Sequence, residues 1–544
     1  MKLILSSLLV LLQLAAFAQF KEIAKSNSFQ EPEDGFARII QMKNGYTVLA
    51  VINLKTGIDI KIFDEKHKQK TAKNLRPKLG KIKAGNVEAM FEAKGNVVML
   101  INEVEAKVPV LHRLVIDGVK GTIISEAVIG ELKKLNLGQG YAMAFGGVSP
   151  PGFYAEKDPN SDQYAVAMFN SFESDRNKRL ELVLYDGDHK EIARSYYKSP
   201  QDKYKYINFM DMTFVGSTVY CLGYARNTRA SGGKENTVVM AELAAGDADM
   251  KMTELKFTHD QDLKRGILRY NAATGKIMLL AFAPYKNSNG RGELWLFHMD
   301  PKKLDAKKHD EIVPNAIQEK ATAVFGSREK FTATPVNMFV YKDGSYTVAM
   351  EEIRVVTHTT GGLPTGGTNG VPAGFSRMSS RSYTIVEHLG LMHYDANSDL
   401  INSWYLPKDH YMWTAHPPTF YHRQREGRAV LLNDGDQYKT FVLLRSKGKE
   451  YVLYNDVEEN DKRIAKGKDP QQVKGLKACD AFYFPLEKEM IPARSWLFGE
   501  SKGRKDHHLA LLPVSDFNED QNLFVTLRLD IHKAKQVHLV WMEP

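Results

Sequence analysis

The chain has 544 residues, of which 43% are hydrophobic, 26% charged and 10% aromatic, and its formal net charge is +9. This composition excludes wholesale disorder, because it supplies enough apolar side chains for a packed core. The length exceeds the roughly 250 to 300 residues at which one core stops growing, so the chain forms several domains or one array of repeated units. With no nucleic-acid-binding motif in the sequence, the modest positive charge does not point to a nucleic acid partner.

The N-terminal residues predict a secretory signal peptide over residues 1–18. Lys2 is followed by an apolar run that ends in Ala16-Phe17-Ala18, and these small residues suit the pocket of a signal peptidase. An uncleaved membrane anchor is the alternative, but the run is shorter than the about 20 residues that span a bilayer. We therefore expect an exported protein, periplasmic or extracellular, with no transmembrane segment in the mature chain.

A strand that ends in Asp and a tight turn recurs along most of the chain. Successive copies mostly lie roughly 50 to 75 residues apart, and this period predicts repeated antiparallel sheets in an array or ring. The recurring residues are Asp64, Asp117, Asp186, Asp247, Asp300, Asp395, Asp456 and Asp530. At the first position of a β-turn, an Asp carboxylate accepts a hydrogen bond from a backbone N–H two residues later. We therefore expect these residues to stabilise turns and not to form an acid/base site.

Each repeat begins with a turn residue and an alternating or wholly apolar strand. Examples are NGYTVLAVI from Asn44 and DGSYTVAMEEI from Asp343. Asn-Gly and Asp-Gly suit hairpins, because hairpin turns require positive φ at a central position. The Asp-terminated strand follows about ten residues later, so each repeat contains a hairpin within a unit of three or four strands.

Three segments depart from the repeat. SEAVIGELKKLNLG predicts a short inserted helix with Ser125 as its N-cap. Residues 302–325 are polar with scattered apolar positions, which predicts a connection and an edge strand. Residues 357–382, rich in Gly, Thr, Ser and Pro, predict a flexible loop insert, since they lack the apolar side chains that offset the entropy of ordering.

The last sheet is expected to be completed by an N-terminal strand, FARIIQM from Phe36.

The combination of repeated strand pairs, signal peptide and length resembles the secreted β-propeller-like repeat proteins that Bacteroidota export. The resemblance concerns architecture and covers nearly all of the mature chain. It implies a single all-β domain over residues 19–544, a β-propeller of about seven or eight blades made of antiparallel sheets with loop insertions. The repeats contain neither a Trp-Asp dipeptide nor a kelch Gly-Gly doublet, so the resemblance assigns no functional residue.

The segment from Trp404 to Arg425 has the most unusual local composition, because it is rich in Trp, Tyr and His. Aromatic faces stack on sugar rings and anchor protein partners, and Pro417-Pro418 would stiffen the connection. The candidate ligand-binding residues are Trp404, Tyr405, His410, Tyr411, Trp413, His416 and Tyr421. In the alternative interpretation, the large aromatic residues pack between sheets and the histidines line the connection.

No pattern in the sequence predicts catalysis, a metal site or a cofactor. His410, His416 and His422 are six residues apart, which matches neither a helix face nor a strand face. There is no Gly-x-Ser-x-Gly elbow and no phosphate-binding loop. Glutamates are available for a carboxylate site in a central funnel, but their spacing selects no pair. These glutamates are Glu103, Glu105, Glu173, Glu351 and Glu352.

The leading hypothesis is therefore an exported, non-catalytic binding or scaffold protein that recognises a protein or glycan of the cell envelope through its aromatic-rich loop surface. One alternative is a propeller-fold hydrolase, acting on glycan or peptide with carboxylates in the central funnel. A third possibility is a structural component of an envelope assembly, which predicts a large exposed apolar patch.

Overall fold

The computed structural model describes most of the chain from Phe20 onward. The described residues are 20–53, 55–78, 85–105, 107–136, 138–139, 143, 148–231, 233–259, 261–285, 292–306, 309–327, 329–360, 379–414, 420, 427–433, 435–487, 491–501, 506–532 and 535–544. Within these residues, no helix has the length and apolar character required to cross a membrane.

Eight antiparallel sheets follow one another along the chain and form an eight-bladed β-propeller. Blades 1 and 2 are β2 (Gly35–Gln41), β3 (Thr47–Asn53), β4 (Gly57–Phe63) and β5 (Gln69–Leu75), then β6 (Gly85–Ala93), β7 (Asn96–Glu105), β8 (Val108–Asp117) and β9 (Ile123–Glu131). Blades 3 and 4 are β10 (Gly152–Lys157), β11 (Tyr164–Phe169), β12 (Leu180–Tyr185) and β13 (Glu191–Tyr196), then β14 (Tyr206–Val215), β15 (Thr218–Arg226), β16 (Asn236–Leu243) and β17 (Lys251–Glu254).

The later blades keep the four-strand plan but carry additions. Blades 5 and 6 are β18 (Arg265–Asn271), β19 (Lys276–Pro284), β20 (Gly292–Met299) and β21 (His309–Glu311), then β22 (Thr334–Val340), β23 (Tyr346–Thr360), β24 (Ser379–Tyr394) and β25 (Leu400–Leu406), with β26 (His410–Met412) beside β24. Blade 7 is β28 (Val442–Ser446), β29 (Lys449–Val457), β30 (Cys479–Pro485) and β31 (Ser495–Trp496). Blade 8 is β32 (His507–Ala510), β33 (Asp516–Asn518), β34 (Leu523–Ile531) and β35 (Lys535–Glu543), joined by β1 (Lys21–Lys25).

The remaining elements are short. β27 (Val430–Leu432) pairs with β2 of blade 1. The described α-helices are α1 (Asn315–Phe325) and α2 (Glu459–Ile464). Single 3₁₀ turns occupy Arg176–Lys178, Pro200–Asp202, Arg229–Ser231, Lys256–Thr258, Asp436–Tyr438 and Leu512–Val514.

The core lies between neighbouring blades, because both faces of each sheet are apolar. In β7, Val97 and Met99 pack in a cluster with residues of blade 1. Val98 and Leu100, which point to the opposite face, pack in a cluster with residues of blade 3. Successive residues of a strand point to opposite faces, so an unbroken apolar run such as that of β7 fits a sheet covered on both sides.

The ends of the chain close the ring. β1 pairs antiparallel with β35, so blade 8 contains strands from both ends. Just before β1, Phe20 is 5% exposed and packs against Tyr451 and Tyr483 of blade 7 and Phe524 of blade 8. The expectation that the strand from Phe36 completes the last sheet is therefore wrong. That strand is β2, whose apolar residues form the first strand of blade 1, and the shorter β1 supplies the closing pairs instead.

In five of the eight copies, the recurring Asp stabilises a turn from its first position. Asp64 is typical, since its Oδ1 accepts the backbone N–H of Lys66 at 3.0 Å and of Lys68 at 2.8 Å. Equivalent bonds to the backbone N–H two residues later occur at Asp117, Asp186, Asp300 and Asp395.

The other three copies differ. Asp247 stabilises its turn from the last position and not the first, because its carboxylate accepts the N–H of Ala244 and its own N–H bonds to the Ala244 carbonyl. The turn prediction fails at Asp456 and Asp530, which lie within β29 and β34 and bind Arg494 and His508 respectively. These two copies match the pattern of residues without occupying the same place in the blade.

Two predictions of secondary structure are also corrected. The segment after Ser125 is not a helix but part of β9, the outer strand of blade 2, because its backbone pairs with β8. Residues 302–325 contain the expected edge strand, β21, but they end in α1, which the sequence analysis missed. Ile317 and Ala321, four residues apart, are its buried residues, and α1 packs on β24 and β25.

Two described residues of the segment between blades 6 and 7 contact inner strands on opposite sides of the ring. First strands of neighbouring blades contact one another, which places them around the axis. Phe420 donates its backbone N–H to Pro335 of β22 in blade 6, whereas the carbonyl of Gly427 accepts the N–H of Met90 of β6 in blade 2. Blades 6 and 2 lie opposite each other in a ring of eight. β27, which follows Gly427, pairs with the first strand of blade 1.

The ring closure leads to a stability prediction. Phe20→Ala removes a buried ring from the junction of blades 7 and 8, and we expect it to lower the free energy of unfolding by about 3 kcal/mol. The matched control is Ile23→Ala in β1, where the side chain is 48% exposed, and we expect a change within about 0.5 kcal/mol. Urea unfolding of the two variants measures both values, and equal effects would contradict a closing role for Phe20.

Candidate functional site

Blade 6 differs from the other blades in its central hairpin. β23 has 15 residues and β24 has 16, whereas the other described strands have ten or fewer. The hairpin extends into both ends of the insert predicted at 357–382, because Thr357 to Thr360 pair with Ser379 to Ser382. Residues 361–378 lie outside the described residues. β26 adds a further strand, with Tyr411 opposite Ile385.

The long hairpin has a buried face and an outer face, as the alternation of side chains along strands requires. The buried face consists of Thr384, Val386, His410 and Met412. The outer face, which is half-buried to exposed, consists of Arg354, Tyr383, Ile385, Glu387 and Tyr411. β26 therefore presents one side chain to solvent between two that enter the core.

Three aromatic residues at the outer face form what we call the aromatic surface: Tyr383, Tyr411 and Trp413. The rings of Tyr383 and Tyr411 are stacked, with centroids 4.8 Å apart and an interplanar angle of 26°. Trp413 meets Tyr411 edge to face at 4.7 Å and is 54% exposed. Lys474 places its Nζ 5.7 Å from the Tyr411 centroid. The surface thus combines exposed ring area with a neighbouring cation.

The backbone beneath Trp413 is held by one carboxylate. Asp436 Oδ1 accepts the N–H of Trp413 at 2.9 Å, and Oδ2 accepts the N–H of Thr414 at 2.9 Å and its hydroxyl at 2.8 Å. These bonds fix the backbone from which the indole projects. A backbone fixed in advance reduces the conformational entropy that ligand binding would cost.

The structure separates the candidate ligand-binding residues into two groups. Tyr411 and Trp413 reach the surface. Trp404, Tyr405 and His410 are buried, with exposures of 3%, 0% and 0%, so they pack as the alternative interpretation describes. His416 and Tyr421 lie outside the described residues.

Each buried member of that group has a structural role. Trp404 Nε1 donates a hydrogen bond to the carbonyl of Glu487 in blade 7. Tyr405 packs its ring edge to face on Phe331. His410 Nδ1 lies 2.8 Å from the carbonyl oxygen of Lys439. These contacts join blade 6 to its surroundings and leave no ring face for a ligand.

A groove of about 240 Å³ lies between blades 6 and 7, with Trp404 in its wall. Several of its charged groups have partners within the protein. His393 Nδ1 is 3.5 Å from a Glu450 carboxylate oxygen, and Arg445 is 2.8 Å from Asp343. We therefore regard this groove as a junction between blades.

A second feature of the hairpin is a bulge that gathers ionisable groups. Glu351 pairs with Leu389 and Ile353 with Val386, so Glu352 lies opposite both Glu387 and His388. Bulges re-aim side chains and occur frequently beside functional sites. This bulge brings Glu352 and His388 together with Glu329, which lies between α1 and β22. One potential ligand atom from each of these three residues lies within 4.8 Å of the other two. We call the three residues the blade-6 cluster.

Burial shifts the pKa values of the blade-6 cluster. Burial raises the pKa of Glu352 to about 7, and the carboxylates of Glu329 and Glu387 add to the increase. Burial lowers the pKa of His388 to about 4, with a further contribution from the charge of Lys408. Burial also raises the pKa of Glu329. Ionised groups lose solvation at this site, as is common at functional sites.

The other glutamates considered for a carboxylate site are mostly engaged by neighbours. Glu351 forms a fully buried ion pair with Lys408 at 2.7 Å. Glu173 pairs with Lys133 at 2.6 Å, and Glu103 lies 2.8 Å from His112 Nε2. Glu105, which joins Glu103 and His112 in a second group of potential ligands, is exposed. Glu352 differs from the other four glutamates, because it lies beside Glu329 and His388 and His388 has no hydrogen bond among the described residues.

Sequence reasoning missed Tyr383, Glu329 and His388. Tyr383 and His388 lie in SRSYTIVEHLG, where Tyr383, Ile385 and Glu387 alternate with Thr384 and Val386. That alternation was a usable signal for Tyr383. Consecutive ionisable residues in two apolar strands, Glu-Glu and Glu-His, were a usable signal for the bulge. Nothing local marks Glu329, because only tertiary packing brings it to the hairpin.

No family model matches the chain, and no curated protein matches it in sequence. Several solved structures resemble it at low identity. Polysaccharide lyase Uly1 has 9% identity and a TM-score of 0.37, covering 87% of this chain and 92% of that one. Dipeptidyl peptidase 4 of Porphyromonas gingivalis has 9% identity and a TM-score of 0.42, covering 92% of this chain and 58% of that one. The extracellular region of plexin A4 has 9% identity and a TM-score of 0.35, covering 94% and 51%. These likenesses are too distant to assign an activity.

The buried position of His410 leads to a pH prediction. Burial, reinforced by the charge of Lys408, lowers the pKa of His410 to about 3, against about 6.5 in an unfolded chain. Between these values only the unfolded state binds the proton, so the free energy of unfolding decreases as the pH falls below about 6.5. We expect His410→Gln to remove about 1 kcal/mol of that decrease between pH 6 and pH 5.

Urea unfolding at pH 7.5, 6 and 5 measures this slope. His259→Gln provides the control, because it removes a partly exposed histidine whose side chain is 39% accessible. The slope should change more in His410→Gln than in the control variant. An unchanged slope in His410→Gln would show that His410 takes up a proton in the folded state.

Proposed function

We propose that the protein is an exported, non-catalytic binding protein that recognises a glycan through the aromatic surface of blade 6. The observation that carries this proposal is the exposed indole of Trp413, which is supported by the stacked pair Tyr411 and Tyr383. The N-terminal residues, which have the pattern of a secretory signal, support export.

The chemistry of the aromatic surface favours a sugar. Sugar rings present C–H groups that pack on aromatic faces, and their hydroxyl groups need polar partners at the edge. Lys474 lies beside the Tyr411 ring, and Arg354 lies on the same outer face with its side chain 61% exposed. A protein interface or an envelope assembly would favour a broad apolar patch. In the described part of the chain, exposed large apolar side chains are instead distributed over several blades.

The centre of the ring does not favour catalysis in a funnel. Phe420, Leu432 and Tyr438, which belong to the segment between blades 6 and 7, are each less than 9% exposed. The backbone contacts of Phe420 and Gly427 reach inner strands on opposite sides of the ring. Chain beside the inner strands takes up space that a substrate between two carboxylates would need.

Binding to a panel of glycans tests the proposal, measured on an array and by affinity electrophoresis in gels that contain soluble polysaccharides. We expect Trp413→Ala and Tyr411→Ala each to weaken the affinity for the bound glycan roughly tenfold or more, since buried aromatic anchors dominate binding energy. Tyr196→Ala is the control, because it removes a 41% exposed tyrosine from blade 3. Unchanged affinity in Trp413→Ala would contradict the proposed surface.

One observation favours the hydrolase alternative: the Glu329 and Glu352 carboxylates lie close together in the blade-6 cluster, and the pKa of Glu352 is raised to about 7 by burial. A carboxyl group with such a pKa suits general acid catalysis, and paired carboxylates cleave glycosidic bonds in many glycosidases. Incubation of the protein with its bound glycan should leave the glycan intact. New reducing ends that disappear in Glu352→Gln would favour the hydrolase instead.

A further inference from the structure

We propose that Glu329, Glu352 and His388 bind a divalent metal ion, with Zn²⁺ as the ion that best fits the donor set. The sequence predicted no metal site; His410, which it considered, is not part of this cluster, and His416 and His422 lie outside the described residues. The inference is independent of glycan binding.

The geometry of the blade-6 cluster is close to that of a coordination shell. One potential ligand atom from each residue lies within 4.8 Å of the others, and His388 Nε2 is 3.8 Å from Glu329 Oε1. Ligands of tetrahedral Zn²⁺ lie about 3.4 Å apart, given metal–ligand bonds near 2.1 Å. A contraction of at most about 1.4 Å, which rotation of the glutamate side chains can supply, would bring the three ligand atoms to this spacing and leave the fourth position for water.

His388 is the strongest indication of an absent partner. The residue is 8% exposed, and its Nδ1 has no hydrogen-bond partner among the described residues. Its Nε2 points at Glu329 from a distance too long for a hydrogen bond. In contrast, the buried His112 and His410 each have a bonded ring nitrogen. Nε2 is therefore the ring nitrogen placed to bind an ion, which would give the imidazole a partner on the side that faces Glu329.

The surroundings hold two of the three ligands in place. Glu352 Oε1 accepts hydrogen bonds from Thr332, from its N–H at 2.7 Å and its hydroxyl at 3.2 Å. The ring of His388 stacks on Phe325 at 5.7 Å and meets Tyr405 at 5.3 Å. Partners that orient metal ligands are a regular part of protein metal sites. Tyr405 Oη, also buried, has no hydrogen-bond partner among the described residues.

The charge balance of the site also favours a cation. The nearby cations have carboxylate partners of their own, since Lys408 pairs with Glu351 at 2.7 Å and Arg354 with Glu387 at 3.4 Å. Within the described chain, neither Glu329 nor Glu352 has a Lys or Arg nitrogen within 4.0 Å. Two carboxylates with an imidazole and no basic partner match the hard and borderline donors that Zn²⁺ accepts.

A bound ion would connect two parts of blade 6. Glu329 lies in the connection between α1 and β22, whereas Glu352 and His388 lie on the long hairpin that carries the aromatic surface. Along β24, His388 is five residues from Tyr383, a distance of about 17 Å in an extended strand. The ion would therefore fix the base of the hairpin and stabilise the folded state.

Metal titration tests the proposal. The purified protein is stripped with a chelator, dialysed and titrated with ZnCl₂ in a calorimeter, while thermal unfolding is followed with and without the ion. We expect one tight site per chain and a higher Tm with Zn²⁺. Glu329→Gln and His388→Gln each remove one direct ligand and should weaken Zn²⁺ binding by roughly 100-fold or more. Residues that only orient ligands contribute about 10- to 100-fold, and a direct ligand should contribute at least the upper value.

Glu329→Gln is the decisive variant, because the Glu329 side chain is 26% exposed and its substitution leaves the core unchanged. His112→Gln, in the group with Glu103 and Glu105, is the matched control and should keep the tight site. Full Zn²⁺ affinity in Glu329→Gln, or loss of the tight site in His112→Gln alone, would overturn the assignment. Failure of the natural protein to bind Zn²⁺ at millimolar concentration would also overturn it. None of these readouts depends on glycan binding.

Discussion

The pairing of β1 with β35 is the interaction on which the rest of the structure depends. Each blade packs only on its two neighbours, so an open array would leave an apolar face exposed at either end. The antiparallel bonds between β1 and β35 place both chain ends in blade 8, and Phe20 fills the junction with blade 7. Closure removes the exposed faces and holds every blade in register. The irregular features of blade 6 are tolerated because the ring fixes the strands that carry them.

The aromatic surface and the blade-6 cluster both belong to blade 6, whereas a propeller with a functional funnel would carry such groups around its axis. The segment after blade 6 brings Phe420 to the first strand of blade 6 and Leu432 to the first strand of blade 1, and both residues are buried. Blade 6 has the longest described hairpin and gathers ionisable groups at its bulge. Burying Glu351 and Lys408 as an ion pair costs desolvation, which such pairs rarely recover in full. This ion pair is therefore weak evidence of stabilisation, and it lies on the blade that carries the proposed binding surface.

Particular elements show where reading the sequence succeeds and where it fails. Asp64 was correctly assigned to a turn, because its hydrogen bonds are made to residues two and four positions away. The segment after Ser125 has the composition of a helix but pairs with β8, since an open sheet edge outweighs local propensity. Trp404 and Trp413 belong to the same aromatic segment. Only the first is buried, because the short β26 turns the chain from the core of blade 6 to its surface.

The sequence by itself determined the all-β class, the repeated antiparallel units and most of the Asp turns. These properties follow from strand periodicity and turn chemistry, which act between residues close in the chain. Tertiary structure alone decided that there are eight blades, that β1 closes the ring and that β27 pairs with blade 1. It also brought together Glu329, which precedes β22, Glu352 of β23 and His388 of β24. Such contacts depend on the packing of whole blades, and no local pattern of residues encodes the distance between them.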